Sequence, residues 1–531
     1  MKRLLSLLTI MVFMTGMVMA QSNSASSTQN GNNNQATQTQ TGSDNEATIE
    51  QGFGQASESA NMKIQNDGEA IQEQDGTLNE ATIMQRSGSW ASGNYSKQDQ
   101  DGQRNDATMI FYNANNWSEQ IQQGEGNTSF GQVSGSGNSV TTSQEGQSNW
   151  AKARLLQSDN SSATIEQVGE DNRGEVSAKG TGNEAVIKQD GNDHDAYQEQ
   201  RGNDNKAVSV TGQFFSAEGT ETEQIQEGNS NLSRFEMQRG SGNYARSAQE
   251  GENNHVFYRV RGDDNSAEFT QTSNSPGNVA SARSFGDDNK VVVEQDGTDN
   301  MVGTKWGDGI YQEGDDNSAM VSQTGESNMT EVDQIGDANY FDQDVFGDNN
   351  EVMATQEGYD NNAIIDQTWY DMDNYQNDIS LTQVNTSEGL GNRAYMKLKG
   401  DENEISVTQN GSWNQVVGKG TFPDKPAEAG VSDGDMFTYE GDDSDIDFIQ
   451  RGNQNLISGA VHNSYGDVMV EQDGNVNKAF LNVGSNLLFH NDVSIMQYGS
   501  NNVGTVNQHS NSNAASIHQT GNANTATITQ Q

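Results

Sequence analysis

Gln312-Glu313-Gly314-Asp315-Asp316-Asn317-Ser318-Ala319-Met320-Val321-Ser322-Gln323 carries the rule that most of the chain obeys. Its frame, Gln-x-Gly-x-x-Asn-x-Ala-x-(Ile/Val)-x-Gln, returns at Gln40 to Gln51, Gln74 to Gln85, Gln356 to Gln367 and Gln519 to Gln530. Gly314, Gly325, Gly336, Gly347 and Gly358 stand eleven residues apart, and Gly102, Gly124 and Gly146 stand twenty-two apart. Self-similarity at a fixed period means stacked structural repeats, and it outranks every other reading of the sequence.

Inside each copy the Asn, Ala, Ile/Val and Gln positions alternate with period two, so in an extended strand they share one face. The inward sets are Gln40, Asn45, Ala47, Ile49 and Gln51; Gln74, Asn79, Ala81, Ile83 and Gln85; Gln312, Asn317, Ala319, Val321 and Gln323; Asn361, Ala363, Ile365 and Gln367; and Gln519, Asn524, Ala526, Ile528 and Gln530. Glu46, Thr48 and Glu50 face the other way. The Gly-Asp-Asp-Asn type of link, as at Gly314 to Asn317, is turn chemistry that tolerates positive φ. Two strand-and-turn units make a rung of about 22 residues. One buried Ile contributes roughly 1.5–3 kcal/mol, while ordering each backbone residue costs about 1–2 kcal/mol, so a lone rung cannot fold. Stacked at about 4.8 Å, the rungs pair strand on strand and the amides donate and accept along a column, as in cross-β assemblies. The expected fold is an all-β solenoid of strand-turn-strand rungs.

Composition alone would indicate a disordered chain: 531 residues, 31% hydrophobic, with 76 acidic against 28 basic residues and a net charge of −48. Only Pro276, Pro423 and Pro426 interrupt it. There is no cysteine, so neither disulfides nor a structural zinc site hold the fold. The charge opposes nucleic-acid binding. Lys2 and Arg3, the apolar run Leu4 to Val18 and the small residues up to Ala20 read as a signal peptide over 1–20, too short for a membrane span. The expected product is secreted.

Chemistry has little foothold. His509 and His518 are nine apart but read as solvated, and Gly180-Thr181-Gly182-Asn183-Glu184-Ala185 imitates a dinucleotide fingerprint without the strand and helix that would give it meaning. No Ser/His/Asp or Cys/His constellation stands out, so no enzyme and no cofactor are expected. The acidic turns at Asp263-Asp264, Asp287-Asp288, Asp315-Asp316 and Asp442-Asp443 make calcium the one alternative ligand, although the spacing of calcium-binding repeats is absent. The bland reading is that Asp and Gly keep an exported chain soluble.

With these residues in view the chain resembles the curlin family, whose repeat is Ser-x5-Gln-x-Gly-x-x-Asn-x-Ala-x3-Gln. Its positions fall on Gln74, Gly76, Asn79, Ala81 and Gln85, and on Gln519, Gly521, Asn524, Ala526 and Gln530. The chain is longer and more acidic than typical members. The resemblance implies a structural subunit of extracellular curli-like amyloid fibres for cell adhesion and biofilm matrix. It implies self or other curlin-like subunits as partners, with an outer-membrane secretion pore and a nucleator. The second reading is a monomeric, acidic, calcium-stiffened surface adhesin. The expected organisation is a leader at 1–20, a polar export segment at 21–39, a repeat array at 40–420, a proline-containing interruption at 421–440 and further repeats at 441–531. Asn61 to Ala70, Gly303 to Tyr311 and Trp369 to Asn377 break the motif.

Overall fold

The computed structural model describes residues 22–29, 33–52, 65–86, 91–212, 217–303, 309–367, 374–387, 390–418, 436–462, 465–484, 492–509 and 514–530. Among these, every regular element is a β-strand. The leader at 1–20 and residues 421–435 of the interruption lie outside them. The chain divides into two compact units, Met1–Glu175 and Val176–Gln531.

In the first unit two parallel sheets alternate along the chain. One contains Ser24–Gln29, Glu46–Gln51, Glu80–Gln85, Asp106–Phe111, Thr128–Val133 and Trp150–Asp159. The other contains Gln35–Ser43, Glu69–Thr77, Tyr95–Gln103, Trp117–Glu125, Ser139–Gln147 and Ser162–Glu170. Each strand pairs with the strand of its own sheet one rung later, so identical motif positions meet: Ala47 with Ala81, Ile49 with Ile83, Gln51 with Gln85. The chain therefore builds the β-solenoid expected from the period.

The turns explain why successive strands pack across from each other instead of side by side. Gly76 has φ +122° and Leu78 φ +61°, and these two positive-φ residues swing the chain through an arc. Asp264, Asp288 and Asp316 occupy the Leu78-type position at φ +54°, +56° and +60°. Asp and Asn pay less than other residues there, which accounts for their abundance in the turns. The strands of the second sheet run past the motif Gln and through the Gly, so the bend comes after the glycine.

The core is a double row of inward side chains. From facing strands it takes Asn79, Ala81, Ile83 and Gln85 on one side and Ala70, Gln72 and Gln74 on the other, none more than 3% exposed. Glu69 and Ala70, counted with a break in the motif, begin a regular strand in register with Gln35 and Ala36.

The second unit follows the same plan with a more apolar filling. Phe235, Tyr258 and Phe269 are buried together, Phe269 lying 6.4 Å from Phe235 and 5.9 Å from Tyr258 between ring centroids. Pairing is kept on both sides of residues 421–435: Gln415–Val417 pairs with Leu456–His462, and Phe437–Glu440 with Arg393–Lys399. A proline-bearing stretch cannot donate to a ladder, and here the strands around it carry the pairing.

Candidate functional site: the amide columns and the end rungs

A buried primary amide has two donors and one acceptor oxygen to satisfy, and an identical amide one rung away supplies part of each need. In the first unit Gln74 Nε2 donates to Gln100 Oε1 at 2.8 Å, Gln100 to Gln122 at 2.9 Å, Gln122 to Gln144 at 2.9 Å and Gln144 to Gln167 at 2.9 Å. The second N–H is used as well. Gln74 Nε2 also reaches the carbonyl oxygens of Glu46 and Asn79 at 3.0 and 3.1 Å, which belong to the facing sheet and its turn. Each glutamine thus ties rung to rung and sheet to sheet.

In the second unit the longest column runs through Gln312, Gln334, Gln356, Gln383, Gln409, Gln450, Gln472, Gln497 and Gln519, joined by bonds of 2.7–2.9 Å. It contains three of the motif glutamines named above, Gln312, Gln356 and Gln519. Gln40 donates to Gln74 at 2.8 Å, and Gln51 to Gln85 at 3.0 Å. Gln323 and Gln367 are not brought together, because Val345 occupies the rung between them. Gln323 donates instead to Thr330 Oγ1 at 2.9 Å.

The motif asparagine does something the period did not reveal. Its Oδ1 accepts the backbone N–H of the equivalent Asn one rung later: Asn79 N to Asn45 Oδ1 at 3.0 Å, and Asn339 N to Asn317 Oδ1 at 3.1 Å. Its Nδ2 donates to the motif-glycine carbonyl of the adjacent rung, Asn79 to Gly102 at 3.1 Å and Asn317 to Gly336 at 2.7 Å. Asn is therefore a turn clamp, and Asn361 and Asn524 hold the same place, accepting from Asn392 N and donating to Asn502 Oδ1. A second glutamine column also escaped the motif. Gln38, Gln72, Gln98 and Gln120 donate in sequence at 2.9, 3.0 and 2.8 Å. Its signal was present two residues before each motif Gln, in the Gln-x-Gln-x-Gly spacing.

The remaining ladder positions, Ala47, Ile49, Ala81, Ile83, Ala319, Val321, Ala363 and Ile365, are all buried between these amides. In the last described rung Asn524, Ala526, Ile528 and Gln530 are only half-buried. Thr525–Gln530 pairs with Val503–Gln508, and Ala515–Thr520 with Val493–Tyr498, on one side only among the described residues. At the other end the strand Ser24–Gln29 is exposed along its whole length.

His194, unlike a solvated histidine, is buried in an Asn slot, with Nδ1 2.8 Å from Thr220 Oγ1, and burial holds its pKa below the usual value. His462 Nδ1 lies 3.1 Å from Glu440. Among the described residues, no group of three or more His, Asp or Glu side chains is arranged to hold a metal ion. No described helix is long and apolar enough to cross a membrane.

The acidic turns are packed by the stacking. Asp263 N donates to Asp287 Oδ1 at 2.8 Å and Asp287 N to Asp315 Oδ1 at 2.8 Å, so carboxylates of consecutive rungs lie side by side. Desolvation at the turn, with Asp316, Asp264, Asp287 and Asp315 around it, raises the Asp288 pKa. Desolvation first, then neighbouring carboxylates, raises Asp106 and Asp344. Glu236 and Glu440 run the other way. Burial opposes ionisation of Glu236, but Arg259 and Arg234 overcome it, while Lys399 depresses Glu440. A carboxyl whose folded pKa is raised contributes stability that is present below its unfolded pKa and lost as pH rises through the folded value. The melting temperature is therefore expected to be higher at about pH 4, near the unfolded pKa of these aspartates, than at about pH 7. A flat or inverted profile by scanning calorimetry would show that the turn repulsion is not felt by the fold.

The family model described as the curlin associated repeat matches residues 20–52, 159–191, 309–336 and 491–531. Three of these segments contain the Gln40 to Gln51, Gln312 to Gln323 and Gln519 to Gln530 copies whose columns are described above. The curated proteins contain no match to the chain. Four segments of the chain are thus similar to curlin-associated repeats, and the amide columns run through the copies that three of them contain.

Proposed function

We propose that the protein is a structural subunit of extracellular, curli-like amyloid fibres that serve cell adhesion and biofilm matrix. The observation that supports this most directly is the pair of end rungs. Ser24–Gln29 and Thr525–Gln530 each leave one edge without a strand among the described residues, and Ala526 and Ile528 are only half covered. An exposed, flat strand edge is a template for another chain. The amide columns give that template a direction, because every Gln-to-Gln bond in them donates from an earlier rung to a later one. Secretion, a pore for export of the unfolded chain and a nucleating partner belong to this reading through the family.

Mature protein beginning at Gln21 is expected to convert to thioflavin-binding fibres with a meridional reflection near ~4.7 Å. A charge in the last rung, Ile528→Lys, is expected to lengthen the lag phase at least about tenfold while leaving circular dichroism of the monomer unchanged. Persistent monomer whose melting responds to a chelator would instead favour the calcium-stiffened adhesin.

A further inference from the structure

The outward face of the second sheet in the first unit carries an aromatic pair that the core does not use. Tyr95 and Trp117 open neighbouring strands in register, and their rings stack with centroids 6.1 Å apart and planes 9° apart. Tyr95 covers one face of the indole. The other face looks along the stack toward Ser139, the register partner of Trp117 on the next rung, whose side chain is too short to cover it. Trp117 is accordingly 38% exposed. An exposed aromatic alone means little, but here two further sets of side chains surround it.

The first set is acidic. Glu69 precedes Tyr95 in register, and Glu119 lies two residues after Trp117 on the same face. After burial, these two carboxylates are the main reason the Tyr95 hydroxyl pKa is raised, so their charge lies beside the rings. Lys97, also on this face, is held by Asp99 at 3.1 Å and Glu73 at 3.7 Å. Glu69, Glu73, Asp99 and Glu119 together outnumber that ammonium four to one. The second set is neutral and polar. On the open side of Trp117 the face continues with Ser139 and Thr141, and then with Ser162 and Thr164 in register one rung further. All four are half-buried, and among the described residues none of their hydroxyls bonds to another side chain.

We infer that this face binds a cationic amino-sugar glycan, one unit of which lies against the open indole face of Trp117 with its ammonium toward Glu119 and its hydroxyls over Ser139 and Thr141. Each part of the site answers one part of such a sugar. The C–H bonds of a pyranose face are weakly positive and meet the negative face of the indole. An ammonium at the rim of the ring adds cation–π attraction and pairs with carboxylate. Sugar hydroxyls find Ser and Thr, which both donate and accept. A neutral glycan leaves the carboxylate excess unanswered, and a lysine-rich peptide has no use for the hydroxyl floor. An anionic glycan is repelled by the net charge of −48. The site is complete within one chain, so it goes beyond fibre growth and does not depend on it.

The test titrates soluble mature protein with a glucosamine oligosaccharide by calorimetry at about pH 6, where amines are protonated and carboxylates ionised. The comparison probes are the N-acetylated oligosaccharide and an oligolysine of the same length. Two variants alter the site: Trp117→Thr, which suits a strand, and Glu69→Gln/Glu119→Gln, which keeps the side-chain shape. A third, Asp264→Asn/Asp288→Asn, removes the same charge from turns of the second unit, where Asn tolerates positive φ. Circular dichroism confirms each fold. Wild type is expected to bind the glucosamine probe at least about tenfold more tightly than either comparison probe, and each site variant to lose at least about tenfold. The turn variant is expected to bind like wild type. Absence of binding to the glucosamine probe overturns the inference. Equal binding of the N-acetylated probe overturns it in favour of a neutral-glycan shelf, and equal binding of oligolysine in favour of a basic peptide. Unchanged binding in Trp117→Thr, or an equal loss in the turn variant, overturns it by reducing the effect to attraction by bulk charge.

Discussion

Replacing Gln356 by glutamate is expected to unravel the middle of the longest amide column at neutral pH. Gln356 is fully buried, accepts from Gln334 Nε2 at 2.9 Å, and donates to Gln383 Oε1 at 2.8 Å and to the Tyr340 carbonyl at 2.9 Å. A carboxylate still accepts from Gln334 but turns negative oxygen toward two other oxygens. An uncompensated buried charge costs on the order of 3–5 kcal/mol, enough to open the rungs around it. The sign with pH is fixed: the folded-state pKa of such a Glu is raised, so stability is present below its unfolded pKa, about 4.3, and is lost as pH rises through the folded value. Gln356→Ala is expected to lose about 1–3 kcal/mol for each orphaned partner, Gln334 and Gln383, with no comparable recovery in acid. Stability in a repeat stack is local, so hydrogen exchange of Met329–Ile335, Glu351–Gly358 and Asp378–Asn385 is the suitable probe. Wild-type protection in the glutamate variant at neutral pH would show that the column is open to water.

Gly124→Ala is the second large effect. Gly124 has φ +115°, and a Cβ built on it would overlap the Gly146 carbonyl oxygen and lie 2.9 Å from the carbonyl carbon. Both obstacles are backbone, so neither can move without breaking the pairing of Trp117–Glu125 with Ser139–Gln147. Backbone strain of about 1–3 kcal/mol adds to overpacking of about 1–3 kcal/mol. The loss is expected to concentrate in these two strands and in Tyr95–Gln103, visible as faster exchange there. By contrast Gln123→Ala, on the exposed side of the same turn, is expected to change exchange by less than about 0.5 kcal/mol. Equal behaviour of the two variants would mean the glycine column does not limit rung spacing.

The period of eleven made the architecture legible because each copy repeats the same inward set, and stacking requires nothing else. Ile49 over Ile83 and Gln51 over Gln85 follow from the motif alone. The role of Asn was not legible, since a period places a side chain on a face but does not say that Asn45 Oδ1 will take the N–H of Asn79 rather than another amide. Substitutions within a column were equally opaque. Val345 interrupts the Gln323 and Gln367 positions although both lie in good motif copies, because continuity depends on the neighbouring rung and not on the copy itself.

Spacing between consecutive column members varies without altering the bond between them. Gln100 and Gln122 are 22 residues apart, Gln51 and Gln85 are 34 apart, and Gln409 and Gln450 are 41 apart, yet their amides meet at 2.9, 3.0 and 2.8 Å. Loop closure grows only as the logarithm of length, so each doubling adds only about 0.6 kcal/mol. Foreign peptide of several dozen residues spliced between such glutamines would ride along on the assembled scaffold, which makes those junctions natural ports for displaying enzymes or epitopes.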